Sequence, residues 1–129
     1  MNHYEKTLVV SADDLDELKH VNNVRYLQWV QDISKEHWQN DASIEMIENM
    51  VWVVMNHHIS YKNAAVIHDE ISIKTHIAES RGAKSIRIVE MYNKKTKLLL
   101  LRAKTEWCLL SAKTLKPIRI PQEVEAIFS

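Results

Sequence analysis

Glycine is nearly missing from this chain. One residue, Gly82, stands where average usage of about 7% would place roughly nine in 129 residues. Phosphate cradles of the P-loop or dinucleotide type need several glycines so that backbone amides can approach the ligand, and neither can be present. Cysteine is equally scarce: the single Cys108 excludes an internal disulfide framework and, with no partner motif to mark it as a nucleophile, reads as a buried thiol. No run of about 18 apolar residues occurs, which excludes a helical membrane span. The opening MNHYEKTLVVSADD has no apolar core of signal-peptide length, so the expected location is cytoplasmic. Nor is one sign of charge in excess. Lysine plus arginine and aspartate plus glutamate number 17 each, which gives no reason to expect a nucleic-acid or membrane-surface partner.

What is present is patterning. A chain of this length can bury about two-thirds of the surface its unfolded form exposes. With no repeat, low-complexity segment or linker in it, residues 1–129 read as a single domain. Residues 4–10, YEKTLVV, suggest a short strand, followed by an acidic loop holding Asp13, Asp14, Asp16 and Glu17. From Asn22 the period changes: Tyr26 or Leu27, Trp29, Val30, Ile33 and His37 recur at three- and four-residue steps, with polar residues between. This predicts an amphipathic helix to about Gln39, capped by Asn22 or Asn23, and a shorter helical turn over 41–50. Thereafter the period is two. VWVVMNHHISY (51–61) reads as a strand, and EISIKTHIAE (70–79) sets Ile71, Ile73, Thr75 and Ile77 against Ser72, Lys74, His76 and Ala78. The turns SRGA and NKKT connect these to KSIRIVEMY and KLLLLRAKTEWCLL, and such short connections require antiparallel pairing. The tail IRIPQEVEAIF suggests an extended piece and a terminal turn.

One long helix against an antiparallel sheet, with no second helical layer, predicts an α+β fold. Trp52, Trp107 and the run Leu98–Leu101 supply apolar side chains for both sheet faces, so a homo-oligomer is expected, a homodimer or homotetramer.

The segment D-L-D-x-x-x-H-V-N-N-x-x-Y-L-x-W, Asp14 to Trp29, resembles the signature of hotdog-fold acyl thioesterases of both the bacterial acyl-CoA type and the plant acyl-carrier-protein type. ISYKNAAVIHDEI and PIRIPQEV resemble two further landmarks of that family, so the likeness spans nearly the whole chain. It implies a hotdog in which five to six antiparallel strands wrap the helix. It also implies hydrolysis of an acyl-CoA or acyl-carrier-protein thioester to free acid and thiol, with coenzyme A as part of the substrate and no cofactor.

Residue by residue, Asp16 matches the family's catalytic carboxylate, and Asn23 matches the position whose backbone N–H binds the thioester carbonyl oxygen. That pairing makes chemical sense on its own: hydrolysis needs an activated nucleophile and an oxyanion holder, and a helix start offers unpaired N–H groups. His20 is a candidate orienting partner at the same site. Asn22 and Tyr26 are candidate substrate contacts, although Asn22 also suits a cap and Tyr26 a core position. Arg81, Lys84 and Ser85, on the turn between two long strands, are candidates for coenzyme A phosphates. The chain departs from the family at Lys19, where many bacterial members carry glycine, and from the plant enzymes at Leu18 and Ala64, so the plant polar constellation is not intact. Two other readings stand beside hydrolysis: a non-hydrolytic acyl-thioester binding protein, and a hotdog dehydratase or hydratase, whose His-Asp motif is not found. No metal is expected, because His57 and His58 are adjacent on a strand and point to opposite faces.

Overall fold

The computed structural model describes residues 2–129. In chain order the elements are β1 (His3–Val9), a 3-10 turn (Ala12–Asp14), α1 (Asn23–Asp41), α2 (Ile44–Asn49), β2 (Met50–Tyr61), β3 (Glu70–Arg81), β4 (Lys84–Asn93), β5 (Leu99–Ser111) and α3 (Gln122–Phe128). The five strands form one sheet in the order β1-β3-β4-β5-β2, antiparallel throughout. This is the α+β hotdog arrangement, a sheet curved about one long helix.

Helix α1 starts where the sequence supplies a cap: the Asn22 side chain accepts from the Val24 N–H at 3.0 Å. Its buried residues are Tyr26, Trp29, Val30, Ile33, Ser34 and His37, one stripe at alternating steps of three and one. The first half of that stripe packs on Ile71 and Ile73 of β3, Val89 and Met91 of β4, and Leu101 and Ala103 of β5. Each strand contributes alternate residues, as the pleat requires. Fully burying an isoleucine or leucine contributes about 1.5–3 kcal/mol, so this layer is the main anchor of α1 on the sheet. A second cluster covers the other end of the helix, where Leu109, Ile120, Val124 and Phe128 are joined by Trp38, Met50, Trp52 and Ile77.

The tail differs from the expectation of a terminal turn. Its extended part is as expected, with Ile118 N–H bonded to Leu109 O at 3.0 Å and Ile120 N–H to Gly82 O at 2.8 Å. Beyond Pro121, however, residues 122–128 form a helix that buries Val124 and Phe128. Two apolar residues four apart are too short a pattern to reveal a helix whose stability comes from packing.

The shortage of glycine leaves a visible mark on the backbone. Gly82 has φ +61° in the two-residue β3–β4 turn, while Ala83 does not share it, the conformation of a type II′ turn. Four other left-handed positions are filled by Lys19 (φ 61°), His68 (φ 71°), Lys97 (φ 67°) and Leu115 (φ 58°). A side chain at such a φ is strained by roughly 1–3 kcal/mol.

Candidate active site

Asp16 sits at the base of a short turn that the backbone closes on itself. Leu15 pairs with Val21 across it, the Asp16 N–H donates to His20 O at 2.8 Å, and the Lys19 N–H returns to Asp16 O at 3.0 Å. One carboxylate oxygen, Oδ1, accepts from the backbone amides of Leu18 (2.9 Å) and His20 (3.2 Å). Oδ2 accepts no hydrogen bond from the described residues. His20 therefore steadies Asp16 through its backbone, and its imidazole is exposed. Lys19 completes the turn at its left-handed φ, a conformation that glycine would adopt without strain.

The same turn is tied to the start of α1. The Asn22 N–H donates to Asp14 O at 2.8 Å, and Val21 N–H to Ala65 O at 3.0 Å. Asp14 also pairs with Arg25, 3.0 Å away, and accepts from Ser11 N–H at 2.8 Å, so its role is scaffolding. In the first turn of α1 the amide of Val24 goes to Asn22 Oδ1, and those of Arg25 and Tyr26 to Asn22 O. The Asn23 N–H is left with no acceptor among the described residues. Asn22 is thus the cap, and Asn23 the first helical residue with a donor to spare.

The other candidates are dispersed. Tyr26 is buried, and its hydroxyl accepts from the Ala65 N–H at 3.3 Å; burial raises its pKa. Arg81 and Lys84 are exposed at the β3–β4 turn, with Lys84 Nζ 3.7 Å from Glu106. Ser85 does not share their face. It is 2% exposed and lies inside the protein opposite Trp107 of β5, because neighbouring strand residues point to opposite sides. His57 is half-buried with Nδ1 2.8 Å from Thr105 Oγ1, His58 is exposed, and Cys108 is buried.

A family model described as the thioesterase-like superfamily matches residues 10–128. The chain belongs to that superfamily. The long-chain acyl-CoA thioesterase FadM of Escherichia coli (strain K12) is 31% identical over 74 residues, 56% of this chain and 56% of that enzyme. The match therefore spans about half the length of that relative. Among solved structures, the probable thioesterase YbaW from Escherichia coli superposes with a TM-score of 0.86 at 22% identity, covering 97% of this chain and 98% of that one. A 1,4-dihydroxy-2-naphthoyl-CoA thioesterase from Synechocystis, Slr0204, gives a TM-score of 0.84 at 15% identity over 98% and 96% of the two chains. At these identities the structural likeness speaks for the fold.

This thioesterase-like chain holds a second polar centre that the sequence reading missed. His37 is fully buried on α1. Its Nδ1 receives a hydrogen bond from Arg87 Nη1 at 2.8 Å, while Nε2 lies 3.1 Å from Asn2 Oδ1 and 3.2 Å from Asp41 Oδ2. A guanidinium can only donate, so Nδ1 carries the lone pair and Nε2 the proton. Burial, with the Arg87 cation beside it, lowers the His37 pKa to about 4. Burial also lowers that of Arg87, to about 10, which leaves it charged at neutral pH. Arg87 Nη1 further donates to Thr75 Oγ1 at 3.1 Å. One signal was available: Ser85 and Arg87 fall on the same alternate positions of β4 as the buried Val89 and Met91.

Beside this network, between the second half of α1 and the sheet, lies a cavity of about 250 Å³. Trp38, Met50, Trp52, Ile77 and Phe128 give it apolar walls, and Ser85, Arg87 and Trp107 line it as well. Ser85 Oγ and Trp107 Nε1 are buried there without a hydrogen-bond partner among the described residues. A buried donor left so costs about 1–3 kcal/mol.

Proposed function

We propose that this member of the superfamily hydrolyses an acyl-CoA thioester to free acid and coenzyme A. The carboxylate of Asp16 either takes the proton of the attacking water and passes it to the leaving thiolate, or itself attacks the carbonyl carbon to form a mixed anhydride. Water then hydrolyses that anhydride to the free acid, supplying the proton that ends on the thiol. The Asn23 N–H at the start of α1 receives the oxyanion, and the C–S bond then breaks to release the thiol. The observation that carries this reading is the Asn23 amide without an acceptor, at the start of a helix whose cap is bonded, Asn22 N–H to Asp14 O, to the turn that holds an Asp16 with Oδ2 uncommitted. Donors fixed in advance at a helix start stabilise charge as it develops, and losing one such donor typically slows a reaction by roughly a hundred- to a thousand-fold. Assistance by a positioned base contributes about a hundred- to ten-thousand-fold more.

Coenzyme A is preferred to a carrier protein because the matched relative acts on long-chain acyl-CoA. For its phosphates we propose the exposed cations Arg81 and Lys84 of the β3–β4 turn. The reaction as written calls for no cofactor. A substrate built on coenzyme A suits a cytoplasmic protein. The assembly we propose is a homodimer or homotetramer, since β2 presents a twelve-residue open edge with Val51, Val53 and Met55 exposed along it. A second reading, binding without hydrolysis, draws on the two bonds that hold Asp16 Oδ1 within its own turn.

The test is thiol release from a series of acyl-CoA and acyl-carrier-protein thioesters, with the native protein and Asp16→Asn. The substitution should leave the fold intact and lower kcat by at least about a hundred-fold. Undiminished release from Asp16→Asn would exclude the mechanism, and saturable thioester binding by the native protein with no thiol release would establish the second reading.

A further inference from the structure

We infer that Arg25 is a positioning residue of the hydrolytic site: through Asp14 it fixes the Asn23 amide relative to the Asp16 carboxylate. The inference rests on the reaction proposed above, whose two groups belong to different pieces of the chain. Asp16 lies in a turn whose bonds are internal, from Asp16 N–H to His20 O and from the amides of Leu18 and His20 to Oδ1. The Asn23 amide belongs to α1 and points out of the helix start. Each piece is held by its own bonds. Between His20 and the cap at Asn22 the chain has only Val21, with two soft dihedrals of its own. What crosses that hinge decides how carboxylate and amide are spaced.

Backbone ties cross it close to the chain: Leu15 pairs with Val21, and the Asn22 N–H donates to Asp14 O at 2.8 Å. Clustered at the cap, they restrain the place of the helix start more than its angle. Arg25 adds a tie from within the first turn of α1. Its Nε lies 3.0 Å from Asp14 Oδ1, and its Nη2 donates to Asp13 O at 3.4 Å. Among the described residues no other side chain of α1 forms a hydrogen bond or ion pair with residues 10–22. Asp14 is a fixed anchor, because Oδ2 accepts from Ser11 N–H at 2.8 Å and Ser11 Oγ at 3.2 Å, and its own N–H donates to Ser11 O at 3.0 Å. A planar guanidinium reaching two neighbouring acceptors fixes direction as well as distance.

Magnitudes separate positioning from stability. The Arg25 side chain is 41% exposed, and an ion pair so open to water contributes little to the fold. Reaction geometry is less forgiving: a misplacement of about 1 Å can slow turnover roughly a hundred-fold. Arg25 should therefore show in kcat and hardly in unfolding.

Thiol release by the full chain is measured on acyl-CoAs from acetyl- to palmitoyl-CoA, and the variants are compared on the one that the native protein turns over fastest. Arg25→Met should lower kcat by about tenfold or more, with KM within about twofold and the thermal midpoint within about 2 °C of native. Asp14→Asn should lower kcat similarly, and the double variant should fall no further than the slower single one, as expected for two ends of one contact. Native kcat in Arg25→Met while Asp16→Asn is inactive would overturn the inference and leave the proposed reaction standing. So would losses that multiply in the double variant, or a fall in kcat matched by an equal loss of folded protein at the assay temperature. No release by the native protein, or undiminished release by Asp16→Asn, would overturn both.

Discussion

Acid should destabilise this protein most strongly through one residue, His37. His37 is buried and neutral, its Nδ1 occupied by Arg87 of β4 and its Nε2 proton directed at Asn2 and Asp41. The rings of Tyr4 and Phe128 pack against it at centroid distances of 5.4 and 4.9 Å. Among the charged groups that act on it, Arg87 and His3 oppose its protonation, and only Asp41 favours it. Its pKa is lowered from 6.5 to about 4, so between those values the unfolded chain binds a proton that the native protein refuses. The sign follows: the stability contributed by neutral His37 is fully present above about pH 6.5 and is lost as pH falls toward about 4. One pKa unit corresponds to about 1.4 kcal/mol, which makes the loss between pH 7 and pH 4 about 3 kcal/mol. For a domain stable by 5–15 kcal/mol that is a large share. Urea unfolding of the native protein and of His37→Gln at pH 7, 6, 5 and 4 isolates the effect, because all other titrating groups are common to both. The native protein should lose about 3 kcal/mol more than the variant over that range. Parallel stability curves would refute the reasoning.

Three more outcomes are expected. Lys19→Gly relieves a left-handed φ of 61° and should raise stability by about 0.5–1 kcal/mol, read as a higher thermal midpoint; a lower one would show that the turn is unstrained. Tyr26→Phe removes the hydroxyl that accepts from Ala65 N–H and leaves that buried amide unpaired, for a loss of about 1–3 kcal/mol in chemical unfolding. Val53→Lys places a charge on the exposed face of the β2 edge strand and should shift sedimentation toward the monomer; an unchanged profile would place the subunit contact elsewhere.

Much of the fold was legible because its elements are long and strongly periodic. Helix α1 was expected from Asn22 or Asn23 to about Gln39 and runs Asn23–Asp41. The alternation of Ile71, Ile73, Thr75 and Ile77 was read with the correct partition, since all four face the helix side of β3. The C-terminal helix was not legible, because seven residues owe their helicity to Val124 and Phe128 finding a pocket that only the folded sheet provides. In the candidate site, the motif between Asp14 and Trp29 pointed to Asp16 and Asn23, and short-range bonds are what hold those two regions together. Ser85 was grouped with Arg81 and Lys84 by nearness in sequence, yet the pleat sends it inward. His37 and Arg87 sit fifty positions apart in the chain, and their bond exists only once α1 lies across β4. No local pattern reports such a pairing.

The turn that carries Asp16 is held by backbone groups and by one carboxylate oxygen. Leu18, Lys19 and His20 contribute amides to it and His20 a carbonyl, while the side chains of Glu17, Leu18, Lys19 and His20 stand in solvent. The side chains at these four positions can therefore change without removing the bonds to Asp16, provided that position 19 keeps a residue that tolerates its left-handed φ. Divergence and design share the same freedom here: the loop tip can acquire new contacts, one substitution at a time, over a frame that stays put.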